Sequence, residues 1–439
     1  MKKLFAILFS VVMILSITSC AAGDTTSTAP PASTADTTPS EEAPAAPSEE
    51  TPAPAEPTSF VQGITDTEVL IGNSACTSGA YAAVGTPFLA GLEAYVAMVN
   101  DAGGIDGRTI NFNHITDDEF DPAKGKAALA NLVEDEEAFA IVGHFGTPVV
   151  GATIEDLKEY GIPAVYFATG IGQLYAEQAT TNEEGYNIFP VQPIYVTEGR
   201  IMVAYAVGKF DAAKVGIIYT NDDAGTDIRR GAVAQLDELG IEYVEQEVTA
   251  GAADVSAAVT SIKNAGVDFI VVASIQGTMP TIVKELAAQS VNKDCITTYV
   301  NVSSAMSEAV VADIQGKFEV YGLGWVAYDD ADGLALYQQW APEEYAMNAY
   351  AQTGWIAAHF FCEGLRRLEG KEVTWESYMK ALEEAPIKNP FGGVIDYAGG
   401  KRLGTQEMLL SRVVPTDETF VTGWEALTEL ASIDDLLKQ

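Results

Sequence analysis

Two short loops carry the polar groups best suited to binding chemistry, and each comes directly after a predicted buried strand. His144 to Thr147 follows a strand predicted over residues 139–143, and residues 168–170 follow a strand predicted over residues 164–167. The first loop leads into a predicted helix, whose first turn exposes unpaired N–H groups and a partial positive charge. A helix start of this kind could accept an acid group. The alternative is that both loops serve only as turns and helix caps.

A second set of polar residues follows other predicted strands. Asp222 and Asp223 precede a helix that we predict over residues 225–239. Gln276 comes after a strand predicted over residues 268–272, and Asn301 directly follows a strand predicted over residues 296–300. The two carboxylates could receive a ligand ammonium group. Acidic residues at the start of a helix also satisfy its dipole without any ligand, so both interpretations stay open.

The sequence contains none of the common catalytic motifs. There is no GxSxG elbow, phosphate-binding loop, HExxH or GxGxxG after a strand. The three histidines, His114, His144 and His359, are widely spaced, and the acidic residues 117–121 lack the spacing of a calcium loop. His144 is either a ligand contact or a plain loop residue. We therefore predict a protein that is not an enzyme and that binds no cofactor or metal.

Composition limits the class of partner. The chain has 62 acidic and 24 basic residues, and its formal charge of -38 makes a nucleic-acid partner unfavourable. Beyond Cys20, the cysteines Cys76, Cys295 and Cys362 are odd in number and contain no CxxC pair, which favours free and mostly buried thiols. A single disulfide stays open as an alternative.

The first sixty residues are typical of a secreted and tethered protein. Lys2 and Lys3 precede an apolar run over residues 4–15, which is too short to span a bilayer and is typical of an export signal. The run ends in Ser16-Ile17-Thr18-Ser19-Cys20, which resembles a bacterial lipobox, although Leu is usual where Ile17 stands. We predict a signal peptide over residues 1–19, lipidation of Cys20, and a disordered tether to residue 60 that is rich in Ala, Pro, Thr, Ser and Glu. Ordinary secretion without lipid is the alternative.

The rest of the chain alternates strands and helices. This alternation predicts an α/β fold of parallel sheets with helices on both faces. One series of elements runs over residues 69–167, and a second series of similar size begins after Tyr195. Two comparable lobes are the economical interpretation. A long helix predicted over residues 343–368, with further helices and strands after it, indicates that the chain returns to each lobe in turn.

Several segments, taken in order, resemble the type I periplasmic binding proteins and among them the branched-chain amino-acid-binding (Leu/Ile/Val-binding) group. The resemblance covers residues 63–424 and is carried by residues 71–80, 100–108, 117–122, 141–143, 161–165 and 345–364. It implies two Rossmann-like lobes joined by three hinge crossings near residues 191–195, 322–327 and 404. We assign residues 61–192 and 328–403 to the N-terminal lobe, and residues 193–327 and 404–430 to the C-terminal lobe.

The resemblance also implies a function. Such a protein is the substrate-binding lipoprotein of an ABC importer on the cell-envelope exterior: it closes its lobes on a small molecule and delivers it to a membrane permease. A ligand sensor of the same fold that signals to a membrane partner is the alternative.

Site residues follow from the same resemblance. Hydroxyl and backbone donors for a ligand carboxylate are expected at Thr147 and Thr169, with Phe145, Gly146 and Ala168 in the same two loops. Tyr81, Phe145, Tyr195, Tyr219 and Trp325 are candidates for an aromatic pocket or, alternatively, for plain core packing.

One position departs from the family. In amino-acid-binding relatives an acidic residue near the first crossing holds the ligand ammonium, whereas this chain has Tyr195 there. An ammonium without that partner is costly to enclose. The predicted ligand is therefore an amino acid or a related aromatic acid, aliphatic acid or amide.

Overall fold

The protein is described by a computed structural model covering residues 61–181, 183–327 and 331–438, with the backbone alone at residues 113–115. The predicted signal peptide, Cys20 and the tether lie outside the described residues.

Fifteen strands in the described ranges form two main sheets and one short hairpin. They are β1 (Glu68–Ala75), β2 (Thr109–Asp117), β3 (Ala140–Phe145), β4 (Ala164–Ala168), β5 (Ile188–Phe189), β6 (Lys214–Thr220), β7 (Glu242–Val248), β8 (Phe269–Ala273), β9 (Cys295–Thr297), β10 (Val320–Gly324), β11 (Ile387–Lys388), β12 (Val394–Ile395), β13 (Glu407–Val413), β14 (Trp424–Ala426) and β15 (Ala431–Ser432). The first sheet has the order β2-β1-β3-β4-β5 and is parallel. The second has the order β14-β13-β10-β9-β8-β6-β7, with β15 paired to β13, and only its β13, β14 and β15 pairings are antiparallel.

Twelve α-helices are described. They are α1 (Ala82–Asp101), α2 (Pro122–Ala130), α3 (Thr147–Tyr160), α4 (Tyr195–Ala204), α5 (Asp223–Leu239), α6 (Ser256–Ala265), α7 (Met279–Ala288), α8 (Ser304–Ile314), α9 (Ala331–Trp340), α10 (Ala349–Arg366), α11 (Trp375–Glu383) and α12 (Ile433–Leu436). Wider helical turns at Asn131–Asp135 and Tyr205–Lys209 extend α2 and α4. The prediction of parallel sheets flanked by helices is confirmed.

Central strands are buried on both faces, as parallel sheets covered by helices require. Every residue of β3 and of β8 is buried, and β8 reads Phe-Ile-Val-Val-Ala without alternation. Their continuous apolar runs explain why the sequence marks these strands so clearly. The loops that follow the carboxyl ends of β3, β4 and β8 lie between the two sheets.

Each main sheet is covered by a helix pair that crosses at glycines. A Cβ on Gly91 of α1 would lie 1.7 Å from the Ala351 carbonyl oxygen of α10, and one on Gly354 of α10 would lie 1.8 Å from that of Phe88. In the second pair, Gly199 of α4 and Gly231 of α5 approach the partner backbone equally closely. Helix α10 packs against α1 and against β3 and β4 of the first sheet, although it follows β10 of the second sheet in the chain.

Three predicted elements differ in detail. The helix predicted over residues 343–368 is interrupted, because Asn348 caps a new helix by accepting from the N–H groups of Tyr350 and Ala351. The strand predicted over residues 296–300 ends at Thr297, and Tyr299–Asn301 forms a turn of 3-10 helix. Strand β3 runs on to Phe145, so that His144 belongs to a strand and not to a loop.

Two sequence features are accounted for by packing. The helical segment Gly79–Asp101 is long and apolar enough to cross a membrane by length and composition, but 56% of its most apolar window is buried inside the protein. Cys76, Cys295 and Cys362 are free and buried, as predicted.

Candidate binding cleft

A cavity of about 790 Å³ lies between the two sheets, and its walls come from both. It contains the carboxyl ends of β3 and β4 on one side and the loop after β8 and the turn at Tyr299–Asn301 on the other. Seven of the predicted ligand-binding residues line it: Tyr81, Phe145, Gly146, Thr147, Ala168, Tyr195 and Gln276.

The start of α3 supplies hydrogen-bond donors to this cavity. Gly146 is the N-cap, with φ of 92°, and has no side chain to cap the helix; Pro148 has no N–H, so the backbone donors of the first turn are those of Thr147 and Val149. Thr147 begins the helix, and its hydroxyl lies 2.8 Å from that of Thr169, which is buried behind it. Thr169 is thus a neighbour of the cavity wall and not part of its lining. An acid placed here would meet backbone N–H groups and the Thr147 hydroxyl.

Tyr195 connects the two sides of the cavity. Its backbone N–H donates to the Gly170 carbonyl oxygen at 2.7 Å, which joins the start of α4 to the loop after β4. Burial raises the pKa of Tyr195 to about 12, while hydrogen bonds with Thr147 and Thr169 act in the opposite direction. The Tyr195 phenol is therefore neutral, and its hydroxyl joins those of Thr147 and Thr169 in one polar cluster.

A chain of buried polar residues continues from this point. Tyr299 donates to Gln192 Oε1 at 3.0 Å, and Gln192 Nε2 donates to the Tyr166 hydroxyl at 2.7 Å. Tyr299 is held in place by Glu198, which accepts from the Tyr299 N–H at 2.6 Å and from the Thr298 hydroxyl at 2.7 Å. Burial raises the pKa of Glu198 to about 8. Sequence reasoning missed Gln192 and Tyr299 as lining residues because no motif marks them.

Aromatic rings form much of the remaining wall. Tyr81 and Phe120 stack with ring centroids 3.9 Å apart, and Phe145 contacts Phe120 edge-on at 6.3 Å. Trp325, directly after β10, and Tyr350 of α10 also line the cavity. Phe120 was also missed by the sequence analysis. The sequence feature that could have identified Phe120 is the acidic run before it, because Asp118 Oδ1 accepts from the Phe120 N–H at 2.8 Å and fixes the loop.

Besides Thr169, three more of the predicted binding residues do not line the cavity: Asp222, Asp223 and Asn301. Asp222 caps α5 by accepting from the Gly225 N–H at 2.9 Å. Of the two roles considered for this carboxylate, this is the helix cap that needs no ligand. Asp223 is exposed, and a Cβ on Gly151 of α3 would lie 3.1 Å from its Oδ2. Asn301 is fully buried and donates to the Ser274 carbonyl oxygen and the Thr297 hydroxyl. Its amide holds loops of the second sheet together.

Two further candidates also face elsewhere. His144 is buried, its Nε2 lies 2.8 Å from the Thr153 hydroxyl, and burial lowers its pKa to about 4, so that the imidazole is neutral. Tyr219 donates to Glu247 at 3.1 Å, and the Arg229 guanidinium lies 5.1 Å from its ring centroid. Neither residue belongs to the cavity because their strands turn these side chains away from it.

The cavity wall carries little charge near α3. Of the described lining residues, only Glu407 and Glu429 are charged, and both belong to the C-terminal segment. Within the described ranges, no group of three or more His, Cys, Asp or Glu residues is arranged to hold a metal ion. The chemistry available near α3 is therefore that of neutral donors, aromatic faces and one helix N-terminus.

Two α/β sheets that enclose a cavity at the carboxyl ends of their strands define a bilobal ligand-binding protein of the periplasmic type I class. Residues 68–418 match the periplasmic binding protein family, and the chain belongs to it. The proteins of this family are substrate-binding transport proteins and not enzymes.

Known relatives and structures resemble most of the chain. Leu/Ile/Val-binding protein homolog 1 of Brucella suis is 25% identical over 329 residues, which cover 75% of this chain and 85% of the relative. A fatty acid ABC transporter substrate-binding protein from Thermomonospora curvata has a TM-score of 0.72 at 18% identity, over 86% of this chain and 96% of its own. A branched-chain amino acid ABC transporter structure from Thermus thermophilus with bound valine has the same TM-score and identity, over 85% of this chain and 99% of its own.

Proposed function

We propose that this protein is the extracellular substrate-binding lipoprotein of an ABC importer, which captures a small carboxylate or amide and delivers it to a permease. The observation that carries the proposal is the cavity between two sheets, with the N-terminus of α3 and the Thr147 hydroxyl on one wall. Donors at that wall suit an acid group, and the aromatic rings around it suit an apolar body.

Lobe closure is the proposed working motion. We assign residues 61–192 and 328–403 to one lobe and residues 193–327 and 404–430 to the other. A ligand that contacts both lobes only when they are shut shifts the equilibrium toward the closed state. The returning segments support this division, since α10 packs against β3 and β4 of the first sheet whereas β13 pairs with β10 of the second.

The ligand class follows from the lining near α3. An amino acid brings an ammonium group, which needs an acceptor or an anionic partner when enclosed. The described groups beside Thr147 are hydroxyls, an amide and aromatic rings, with Tyr195 where relatives carry an acid. This arrangement favours an aromatic or aliphatic acid, or an amide, over an amino acid. The names of the relatives and structures above include both amino-acid and fatty-acid binding.

The binding proposal can be tested on the protein without its first twenty residues. We expect a thermal-shift screen of valine, leucine, benzoate, phenylacetate, dodecanoate and their amides to give stabilisation by an acid or amide. X-ray scattering should then show a more compact particle with that ligand. Stabilisation by amino acids alone would contradict the ligand class, and turnover of any compound would contradict a binding function.

The envelope part of the proposal needs the full chain. The Cys20 thiol would carry the lipid, the segment to residue 60 would serve as the tether, and the site of action would be the cell-envelope exterior. Metabolic labelling with an alkyne fatty acid should mark the wild-type protein and not Cys20→Ala, which should leave the membrane fraction. Equal labelling of both proteins would contradict lipidation at Cys20. Loss of ligand uptake on deleting the gene would support delivery to a permease, and unchanged uptake would count against it.

A further inference from the structure

The cavity is larger than its acid-binding end requires. At roughly 30 Å³ for each water-sized group, a space of about 790 Å³ has room for on the order of 25 such groups. An amino acid with an aliphatic side chain fills only a minor part of it. The residues that line the cavity also fall into two regions, of which the region around Thr147 is only one.

The second region is one face of the antiparallel edge of the second sheet. It is a side groove whose floor consists of Gly324 of β10, Leu409 and Ser411 of β13, and Trp424 and Ala426 of β14. These residues alternate along their strands, and the strand register pairs Gly324 with Leu409 and Ser411 with Ala426. The floor is therefore continuous across three strands, because side chains two residues apart share a face.

The side groove opens into the cleft beside the second crossing. Gly324, Trp325, Val326 and Ala327 line the cavity where the two regions meet. A Cβ on Gly324 would lie 2.7 Å from Leu409 Cδ1, so glycine leaves the space that the Leu409 side chain occupies. Because the same cavity contains Thr147 and these residues, a ligand headed at Thr147 could extend toward the side groove.

Apolar surface is exposed at the rim of the groove. Val421 lines it and is 41% exposed, and Val394, next to the lining residue Gly393, is 49% exposed. Leu430 and Phe420 also line this region. Ala426 is exposed at the floor, and its small side chain leaves the groove shallow but open. Such a surface is covered favourably by an apolar chain.

The outer end of the groove is acidic. Glu407 accepts from the Val394 N–H at 3.3 Å, and Glu429 is exposed beside it in the lining. Among the described ion pairs, neither carboxylate has a basic partner. A second carboxylate at the tail end of a ligand would meet like charge there.

We propose that the ligand is a monocarboxylic acid with an extended apolar tail, whose carboxylate lies at the start of α3 and whose tail lies in the side groove. This inference rests on the proposed binding function and adds the length and the charge of the ligand. It assigns Ala426 and Val421 as residues that determine specificity for the tail.

The experiment uses the protein without its first twenty residues. Isothermal titration calorimetry measures its affinity for butanoate, octanoate, dodecanoate and dodecanedioate. We expect affinity to rise about fourfold for each buried methylene group, since each contributes ~0.8 kcal/mol. Dodecanedioate should bind at least tenfold more weakly than dodecanoate. Equal affinity across the monoacids, or equal affinity of the diacid, would overturn the proposal.

Substitutions in the side groove test whether the ligand tail binds there. Ala426→Phe should fill the groove and remove the gain in affinity for the longer acids, while butanoate affinity stays unchanged. Ala312→Phe, on the exposed face of α8 and outside the cavity lining, is the matched control. If Ala426→Phe does not fold, Val421→Asp at the exposed rim should weaken dodecanoate alone. Unchanged dodecanoate affinity in a folded groove variant would overturn the tail site.

The two proposals fail in different ways. Binding of benzoate, phenylacetate or butanoate without any dependence on chain length would remove the tail site and leave the binding function standing. Absence of binding by every acid, amide and amino acid would remove both.

Discussion

Tyr81 and Phe120 stack face to face, with ring centroids 3.9 Å apart and an angle of 18° between the planes. Phe120 adopts a left-handed backbone conformation, with φ of 64°, and lies over Gly146, where a Cβ would be 2.6 Å from its ring. The stack therefore adjoins the start of α3, where we place the ligand carboxylate. The Tyr81 hydroxyl in turn lies against Gly277 on the other side of the cleft.

Removing the Phe120 ring should open this wall. We expect Phe120→Ala to weaken the tightest acid of the screening panel by roughly tenfold, because an aromatic contact and its buried area are lost. Isothermal titration measures the change. Tyr175→Ala removes an exposed aromatic ring outside the cavity lining and should leave affinity unaltered. The same affinity in Phe120→Ala and wild type would show that this ring does not contact the ligand.

The hydroxyls of Thr147 and Thr169 should contribute unequally. Thr147 lines the cavity, whereas Thr169 lies behind it and also accepts from the Ile171 N–H at 3.2 Å. We expect Thr147→Val to weaken a carboxylate ligand about tenfold, as a hydrogen bond to a charged group contributes ~1.5 kcal/mol or more. Thr169→Val should have a smaller effect. Thr260→Val, at an exposed threonine of α6, is the control in titrations. A larger loss in Thr169→Val would reverse this assignment.

Asp227 forms a contact between the two proposed lobes. Its Oδ2 accepts from the Gly172 N–H at 2.5 Å, and its Oδ1 pairs with Arg230 at 2.9 Å. Gly172 follows β4 of the first sheet, and Asp227 lies on α5, which covers the second sheet. We expect this bond to break when the proposed lobes move apart.

Substitution of Asp227 by Asn should therefore disfavour closure. A charge-assisted bond of this kind contributes about 1.5 kcal/mol or more, so ligand affinity should fall roughly tenfold. Scattering without ligand should show a larger radius of gyration than in the wild type. Asp313→Asn removes an exposed carboxylate of α8 and should change neither quantity. An Asp227→Asn protein with normal affinity and normal compactness would rule out a role in closure.

The sequence predicts those parts of the site that depend on local order along the chain. Gly146 and Thr147 could be identified because an apolar strand, a short loop and a helix start follow one another there, and the fold brings such loops to one edge of a sheet. Tyr195 could be identified because its segment departs from a recognisable family pattern. Each of these inferences needs only neighbours in sequence.

The rest of the site depends on contacts between distant residues. Phe120 reaches the cavity because residues 119 and 120 both have positive φ, which no propensity predicts for Glu and Phe. The side groove exists because Ser411 pairs with Ala426, and strand register is not encoded by either strand alone. The role of Asp222 was ambiguous for the same reason. An acidic residue before a helix can be a helix cap or a ligand contact, and only the position of α5 in the structure distinguishes the two roles.

Glu198 should make the stability of the protein depend on pH. Burial raises the pKa of its carboxyl to about 8, whereas the pKa of a Glu carboxyl in the unfolded chain is about 4.3. The folded state therefore holds the proton more tightly. The stabilisation from this group is complete below pH ~4.3 and is lost progressively as the pH rises from there through about 8, by an amount on the order of 5 kcal/mol at most.

The variant Glu198→Gln isolates this contribution, because the amide stays neutral and its carbonyl oxygen can still accept from the Tyr299 N–H. We expect denaturant unfolding at pH 5 to give similar free energies of unfolding for the wild type and the variant, and at pH 9 to give a more stable variant. Glu308→Gln, at an exposed position of α8, should follow the wild-type profile throughout. Parallel profiles for Glu198→Gln and wild type from pH 5 to pH 9 would mean that the Glu198 carboxyl ionises in the folded protein without cost. In that case, the Tyr299 position in the cavity wall would not depend on a protonated partner.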